Sequence, residues 1–148
     1  PYLAGWDLDH PGFNRICQIL ADNNFILQLH GMAIKAMSRI TSNYSEIPLV
    51  ISHLGSSRER IMSYIDFASN NSNVYLDICG SGHERLGILE HAVNNGLEDR
   101  ILYGSDFPVN EPGTPIIRVN NALLSDEAKL KILGGNLRRL LASHNMII

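Results

Sequence analysis

The sequence predicts an α/β fold on a parallel sheet, and two features of its patterning carry that prediction. The first is a set of four apolar runs, Phe25–His30, Pro48–Gly55, Val74–Gly82 and Ile101–Pro108, each ending in a short polar cluster. Their strand ends near His30, His53, Ile78 and Ser105 lie 23, 25 and 27 residues apart, room for one strand, one helix and two short loops per unit. The second is the near-continuous apolar character of the runs. It suits strands buried on both faces, the condition of a parallel sheet.

The intervening segments have helical periodicity. Ala33, Ala36, Met37 and Ile40 recur at the spacing of one helix face. Ser56 or Ser57 is placed to cap a second helix whose apolar face is Ile61, Tyr64, Ile65 and Ala68. Leu86, Leu89 and Val93 define a third, which Asn95-Gly96 should end. Pro108, Pro112, Gly113 and Pro115 make the next stretch irregular, with a helix resuming over 116–124. Ser125-Asp126-Glu127 caps another, Gly134-Gly135 stops it, and residues 137–142 form the last. Upstream, Tyr2–Trp6 reads as a short strand and Phe13–Asp22 as a helix. The organisation is βα repeated five times, in one domain over residues 1–148.

Composition limits the function. Formal net charge is −3, and basic residues form no cluster larger than pairs such as Arg58/Arg60 and Arg138/Arg139, so nucleic acid is not an expected partner. No apolar run approaches the ~18–20 residues of a membrane span, and no signal-peptide pattern opens the sequence, so neither a membrane nor export is expected and the location is expected to be cytoplasmic. Cys17 and Cys79 form neither a disulfide framework nor a zinc knuckle, and read as buried thiols. The chain opens at Pro1, and its 148 residues are fewer than the roughly 200–250 of a closed eight-fold βα barrel. It is therefore expected to be a fragment or a processed piece.

In a parallel sheet the C-terminal strand ends lie together, so residues there can meet in one site. His30 and His53 occupy such ends, each readable as a metal ligand or as a hydrogen-bonded core histidine. Asp106 lies between Ser105 and Phe107-Pro108; burying it unpaired would be costly, so it reads as a cation ligand and proton acceptor or as a turn cap. Asp77 reads as structural. Gly80-Ser81-Gly82 lacks the third glycine of a dinucleotide loop, since position 85 is Arg85, and reads as a tight turn. His83 and Arg85, just beyond it, are candidate substrate contacts in a mouth built from βα loops. His10, His91 and His144 read as surface or capping residues, and no G-x-S-x-G nucleophile elbow is present.

With those residues in place, the chain resembles the amidohydrolase-related family of metal-dependent TIM-barrel enzymes. The resemblance is carried by Leu27–His30, Ile47–Gly55, Asn73–Ile78, Asp99–Pro108 and Lys131–Leu141. It implies an incomplete (β/α)8 barrel of about five βα units, corresponding to strands four to eight. It implies His30 and Asp106 as ligands of a divalent metal, zinc above others, with Asp106 also the proton acceptor. His53 would bind a second metal or position the reacting group and water, and Asn136 would join the last helix to the barrel. The His-x-His of the family's first strand is missing from this sequence. Ser56-Ser57 stands where the decarboxylase branch often has an acidic residue, which tilts the expectation toward hydrolysis of an ester, lactone or amide in a small molecule. The alternatives are a non-oxidative decarboxylase and a non-catalytic half-barrel that pairs with itself or with a missing N-terminal half.

Overall fold

The computed structural model describes Leu8 and residues 10–146. The strand expected at Tyr2–Trp6 lies outside the described residues. Among these, four strands form one parallel sheet in the order β1 (Leu27–His30), β2 (Leu49–Ser52), β3 (Val74–Asp77) and β4 (Ile101–Leu102). The register aligns His30 with Ser52, Ser52 with Asp77 and Asp77 with Leu102, so one row crosses the sheet at its C-terminal rim.

Helices α1 (Pro11–Asp22), α2 (Ile34–Asn43), α3 (Arg58–Asn70) and α4 (Ile88–Ala92) fall between or before the strands. They share one core with one face of the sheet. Leu29, Ile51, Leu76 and Ile101 meet Cys17, Met37, Ile65 and Leu89 there, all buried. The predicted face of α3 is buried throughout, and Ser57 is its cap, accepting from the Arg60 amide at 3.2 Å. His10 caps α1 through its ring, which accepts from the Gly12 amide at 3.0 Å. The helix after β3 ends where Asn95 and Gly96 leave helical backbone, Gly96 at φ +80°.

Two expectations about helices are corrected. Leu86 is 91% exposed and precedes α4, which begins only after Gly87 turns the chain at φ +82°. The proline-rich stretch does enter a helix: α5 spans Gly113–Asn120 with Pro115 buried in its first turn. An amide at that position has no intrahelical acceptor, so proline there forfeits nothing. Helices α6 (Asp126–Leu130), capped by Ser125, and α7 (Asn136–Ser143) follow, separated by a turn broken at Gly134.

The second sheet face differs from the expectation of burial on both sides. In β1, Leu27 and Leu29 are buried while Gln28 and His30 are exposed. Val50 and Leu102 on this face pack against Leu140 of α7, with Ile26 and Tyr75 beside them. Towards the rim the face becomes polar, carrying Gln28, His30, Ser52 and Asp77. Apolar cover therefore ends where the polar row begins.

Two polar side chains tie this framework together. The Arg100 guanidinium donates to the Ala68, Asn71 and Val74 carbonyls, tying the end of α3 to the start of β3. Asn136, only 1% exposed, donates through Nδ2 to the Glu98 and Ile101 carbonyls, each at 2.8 Å, and so fastens α7 to β4. Asn136→Ala leaves both buried carbonyls without that donor and should cost about 1–3 kcal/mol in urea unfolding. Leu123→Ala, at a side chain 88% exposed, should change stability by no more than about 0.5 kcal/mol. Equal effects from the two would contradict this account of the α7 junction.

Candidate active site

The polar rim forms the wall of a cavity of about 220 Å³, lined by Gln28, His30, Ser52, His53, Asp77, Cys79, Gly104 and Asp106. Three of the sequence-predicted residues, His30, His53 and Asp106, are thus brought together. The His30 and His53 rings meet edge to face, their centroids 4.6 Å apart at 64°.

His53 directly follows β2 and Asp106 lies four residues past β4, both in left-handed backbone, at φ +66° and +62°. Among the described residues only Asn24 and Asn145 are other non-glycine residues with positive φ. Such conformations cost on the order of 1 kcal/mol or more, and they gather at functional sites. The left-handed turn takes the His53 side chain out of strand alternation. Without it, His53 would follow Ile51 into the helix-covered core. Asp106 is also held by Asn110, whose Nδ2 donates to Oδ2 at 2.9 Å, while the amides of Val109 and Asn110 donate to its carbonyl. The next peptide, Phe107–Pro108, is cis.

The His53 Nδ1 lies 3.1 Å from the Cys79 carbonyl, an acceptor, so this nitrogen carries the proton and Nε2 the lone pair. Asp77 is 7% exposed. Its Oδ1 accepts from the Cys79 amide at 2.9 Å and its Oδ2 from Gln28 Nε2 at 3.2 Å. Burial pushes the Asp77 carboxyl above the usual carboxylate range, against the lowering effect of the Cys79 hydrogen bonds and of His53. The Cys79 thiol is pushed up to about 12, first by burial and then by Asp77, so it stays a neutral thiol.

Two imidazoles and a carboxylate are donor types suited to zinc, and His53 offers it a nitrogen whose ring partner is already fixed. Yet among the described residues no three His, Cys, Asp or Glu side chains are gathered closely enough to hold a metal ion by themselves. The donors fit in kind and line one space, and they do not by themselves gather into a metal site.

His83 and Arg85 do not line this cavity. His83, expected at an open mouth, is 4% exposed, and neither of its ring nitrogens has a hydrogen-bond partner. Its loop is clamped from outside: Arg118 of α5 donates to the His83 carbonyl at 3.1 Å and pairs with Glu90 at 3.0 Å. Arg85 is exposed and donates to the Ser56 carbonyl at 2.7 Å, joining the loops after β2 and β3. Sequence reasoning missed Gln28, Ser52, Cys79 and Gly104 as lining residues. Period-2 alternation back from His30 would have found Gln28.

These features define a parallel α/β protein of TIM-barrel type, with its polar residues at the C-terminal strand ends. The chain belongs to the amidohydrolase family, whose model matches residues 2–142. It is similar to an uncharacterized TIM-barrel protein from Bordetella bronchiseptica, at 21% identity and a TM-score of 0.78, over 95% of this chain and 53% of that one. It is also similar to an amidohydrolase from Burkholderia multivorans with bound Zn, at 17% identity and a TM-score of 0.71, over 91% and 58% of the two chains. A 2,6-dihydroxybenzoate decarboxylase shares the fold at 14% identity and a TM-score of 0.70, over 93% and 57%. The chain thus spans a little over half the length of these solved structures. Comparison with curated proteins gives no significant match.

Burial holds the His83 imidazole below its usual pKa, Glu84 at 4.0 Å opposing and Arg118 reinforcing the shift. The unfolded chain therefore takes up this proton first as pH falls. The stabilisation is complete above the unfolded value of about 6.5 and is lost below it. Urea midpoints at pH 7.5 and 5.5 should separate further for the wild type than for His83→Gln. Parallel losses in the two proteins would contradict this.

Proposed function

We propose that this chain carries part of the active site of a metal-dependent hydrolase acting on an ester, lactone or amide carbonyl of a small molecule. The observation that carries the proposal is the convergence of His30, His53 and Asp106 on one cavity, two of them on left-handed backbone. His30 and Asp106 would hold a divalent ion of the zinc type. When bound, such an ion lowers the pKa of a coordinated water toward roughly 7 and polarises a carbonyl.

The protein's own groups supply the remainder. The Asp106 carboxylate, fixed through Asn110, takes the proton of the attacking water. His53 lines the same space, and with Nδ1 engaged by Cys79 its Nε2 is the ring nitrogen left for substrate. As imidazolium it donates to the oxyanion that develops on the carbonyl, and as neutral imidazole it is an acceptor. Arg85 is exposed at the rim and is proposed to meet substrate there. His83 contributes through the loop that it anchors.

The proposal also takes residues 1–148 as one domain and the location as cytoplasmic; no described helix is long and apolar enough to cross a membrane. A second reading, non-oxidative decarboxylation in the same cavity, is favoured by the fold shared with the dihydroxybenzoate decarboxylase.

Protein supplied with Zn²⁺ should be assayed against aryl esters, lactones, amides and hydroxylated benzoic acids, with capture of carbon dioxide in parallel. Hydrolysis that falls more than about 100-fold in Asp106→Asn is the expected result, on the scale of general-base effects. Carbon dioxide as the product would transfer the site to the second reading. Near-normal turnover in Asp106→Asn would overturn both.

A further inference from the structure

The segment leaving β3 carries three features the proposed chemistry leaves unused: a buried carboxylate at Asp77, a cysteine inside the site and a glycine directly after it. Asp77 receives the Cys79 amide on one oxygen and Gln28 on the other. Gln28 Nε2 is itself anchored by the Ser52 hydroxyl at 2.8 Å. An Asp oxygen bonded to the amide two residues on closes a side-chain turn and fixes the direction of the peptides within it. The Cys79 carbonyl leaves that turn to meet His53 Nδ1.

Space is controlled as strictly as polarity. Gly80 has φ +65°, and a Cβ there would lie 2.3 Å from His53 Nδ1 and 2.8 Å from its Cε1. Any side chain at position 80 therefore displaces the ring. The same Cβ would lie 3.4 Å from Asp106 Oδ2, so position 80 separates the two groups by backbone alone. On the far side, a Cβ at Gly104 would fall on the Asp77 carboxylate. The carboxylate thus rests against bare backbone of the segment that presents Asp106.

We propose that the turn Asp77–Gly80 is the positioning element of His53. Asp77, braced by Gln28, aims the Cys79 carbonyl at Nδ1–H, Gly80 leaves room for the ring, and Nε2 is thereby presented to the cavity as the lone-pair nitrogen. The Cys79 thiol, 3.4 Å from Nδ1, is dispensable for this, because the backbone carbonyl fixes the tautomer. The inference rests on the reading of His53 as a site residue, and it makes Asp77 and Gly80 positioning residues.

The test is nitrogen NMR of the histidine rings in the ¹⁵N-labelled 148-residue chain at about pH 8, where neutral imidazole predominates. His53→Gln assigns the signals. The wild type should show His53 with Nδ1 protonated and Nε2 unprotonated, and Cys79→Ala should show the same. Asp77→Ala should move both nitrogens toward the averaged positions of mixed tautomers. Asp77→Asn, which keeps an oxygen for the Cys79 amide and lets its Nδ2 donate to a Gln28 amide turned over to present Oε1, should restore the wild-type pattern. A loss of packing alone would lower the melting temperature without this rescue.

A wild-type His53 protonated on Nε2 overturns the proposal, as does a folded Asp77→Ala with an unchanged His53 spectrum. If Asp77→Ala does not fold, the wild type and Cys79→Ala decide, since a tautomer change in Cys79→Ala also overturns it. The expected tautomer together with undiminished turnover in Asp106→Asn would leave the positioning element standing and remove the hydrolase reading.

Discussion

The parallel register is the constraint on which everything else depends. Because His30, Ser52, Asp77 and Leu102 form one row, every residue that follows a strand emerges at the same height on the same rim. Residues 76 positions apart, His30 and Asp106, come to line one cavity without any contact between neighbours in sequence. A one-residue slip in β1, β2 or β3 would turn its polar residue into the helix-covered core and break the row. The apolar face that packs on the helices is what prevents such a slip. Leu29, Ile51 and Leu76 are buried there, and none of them has a polar alternative.

Polarity at the rim has an energetic consequence. A carboxylate as deeply buried as Asp77 loses hydration, and the Cys79 amide and Gln28 compensate with one hydrogen bond each. The compensation is incomplete, since burial still holds its pKa above the ordinary range. At neutral pH such a carboxyl detracts from stability, because its folded form favours the proton. His53 and Asp106 add the cost of left-handed backbone. A fold carries such costs where its surroundings over-determine the geometry, and here Cys79, Gly80 and Asn110 do so.

Much of this was legible in the sequence. Even spacing and apolar runs gave the four strands and a parallel sheet, Ser56 or Ser57 and Ser125 were the cap candidates, of which Ser57 and Ser125 cap, and the strand ends gave the three residues that meet in the cavity. What escaped depended on information that a linear pattern does not carry. Leu86 fits the helical period but stands outside it, because the left-handed Gly87 resets the chain. Pro115 breaks a helix interior yet sits comfortably in a first turn. His83 follows a glycine-rich turn and reads as exposed, yet it is buried, and its carbonyl is held by Arg118, 35 residues on. Gln28 belongs to the site because β1 is open on one face, which its alternation reveals only once the direction of the face is known.

Membership of the amidohydrolase family and the share of its fold relatives that this chain spans bear on how the site works. The described residues bring two imidazoles and a carboxylate to one wall, while no three acidic, histidine or cysteine side chains gather closely enough to hold an ion unaided. The proposed function requires that this wall be one metal-facing surface. Titration with paramagnetic Co²⁺ in place of zinc, followed through the ring resonances of all six histidines, tests it most directly. Broadening of His30 and His53 along one common curve, ahead of His10, His83, His91 and His144 and abolished by Asp106→Asn, is the result this account predicts. Broadening of His30 and His53 on separate curves, or an effect that survives Asp106→Asn, would contradict it.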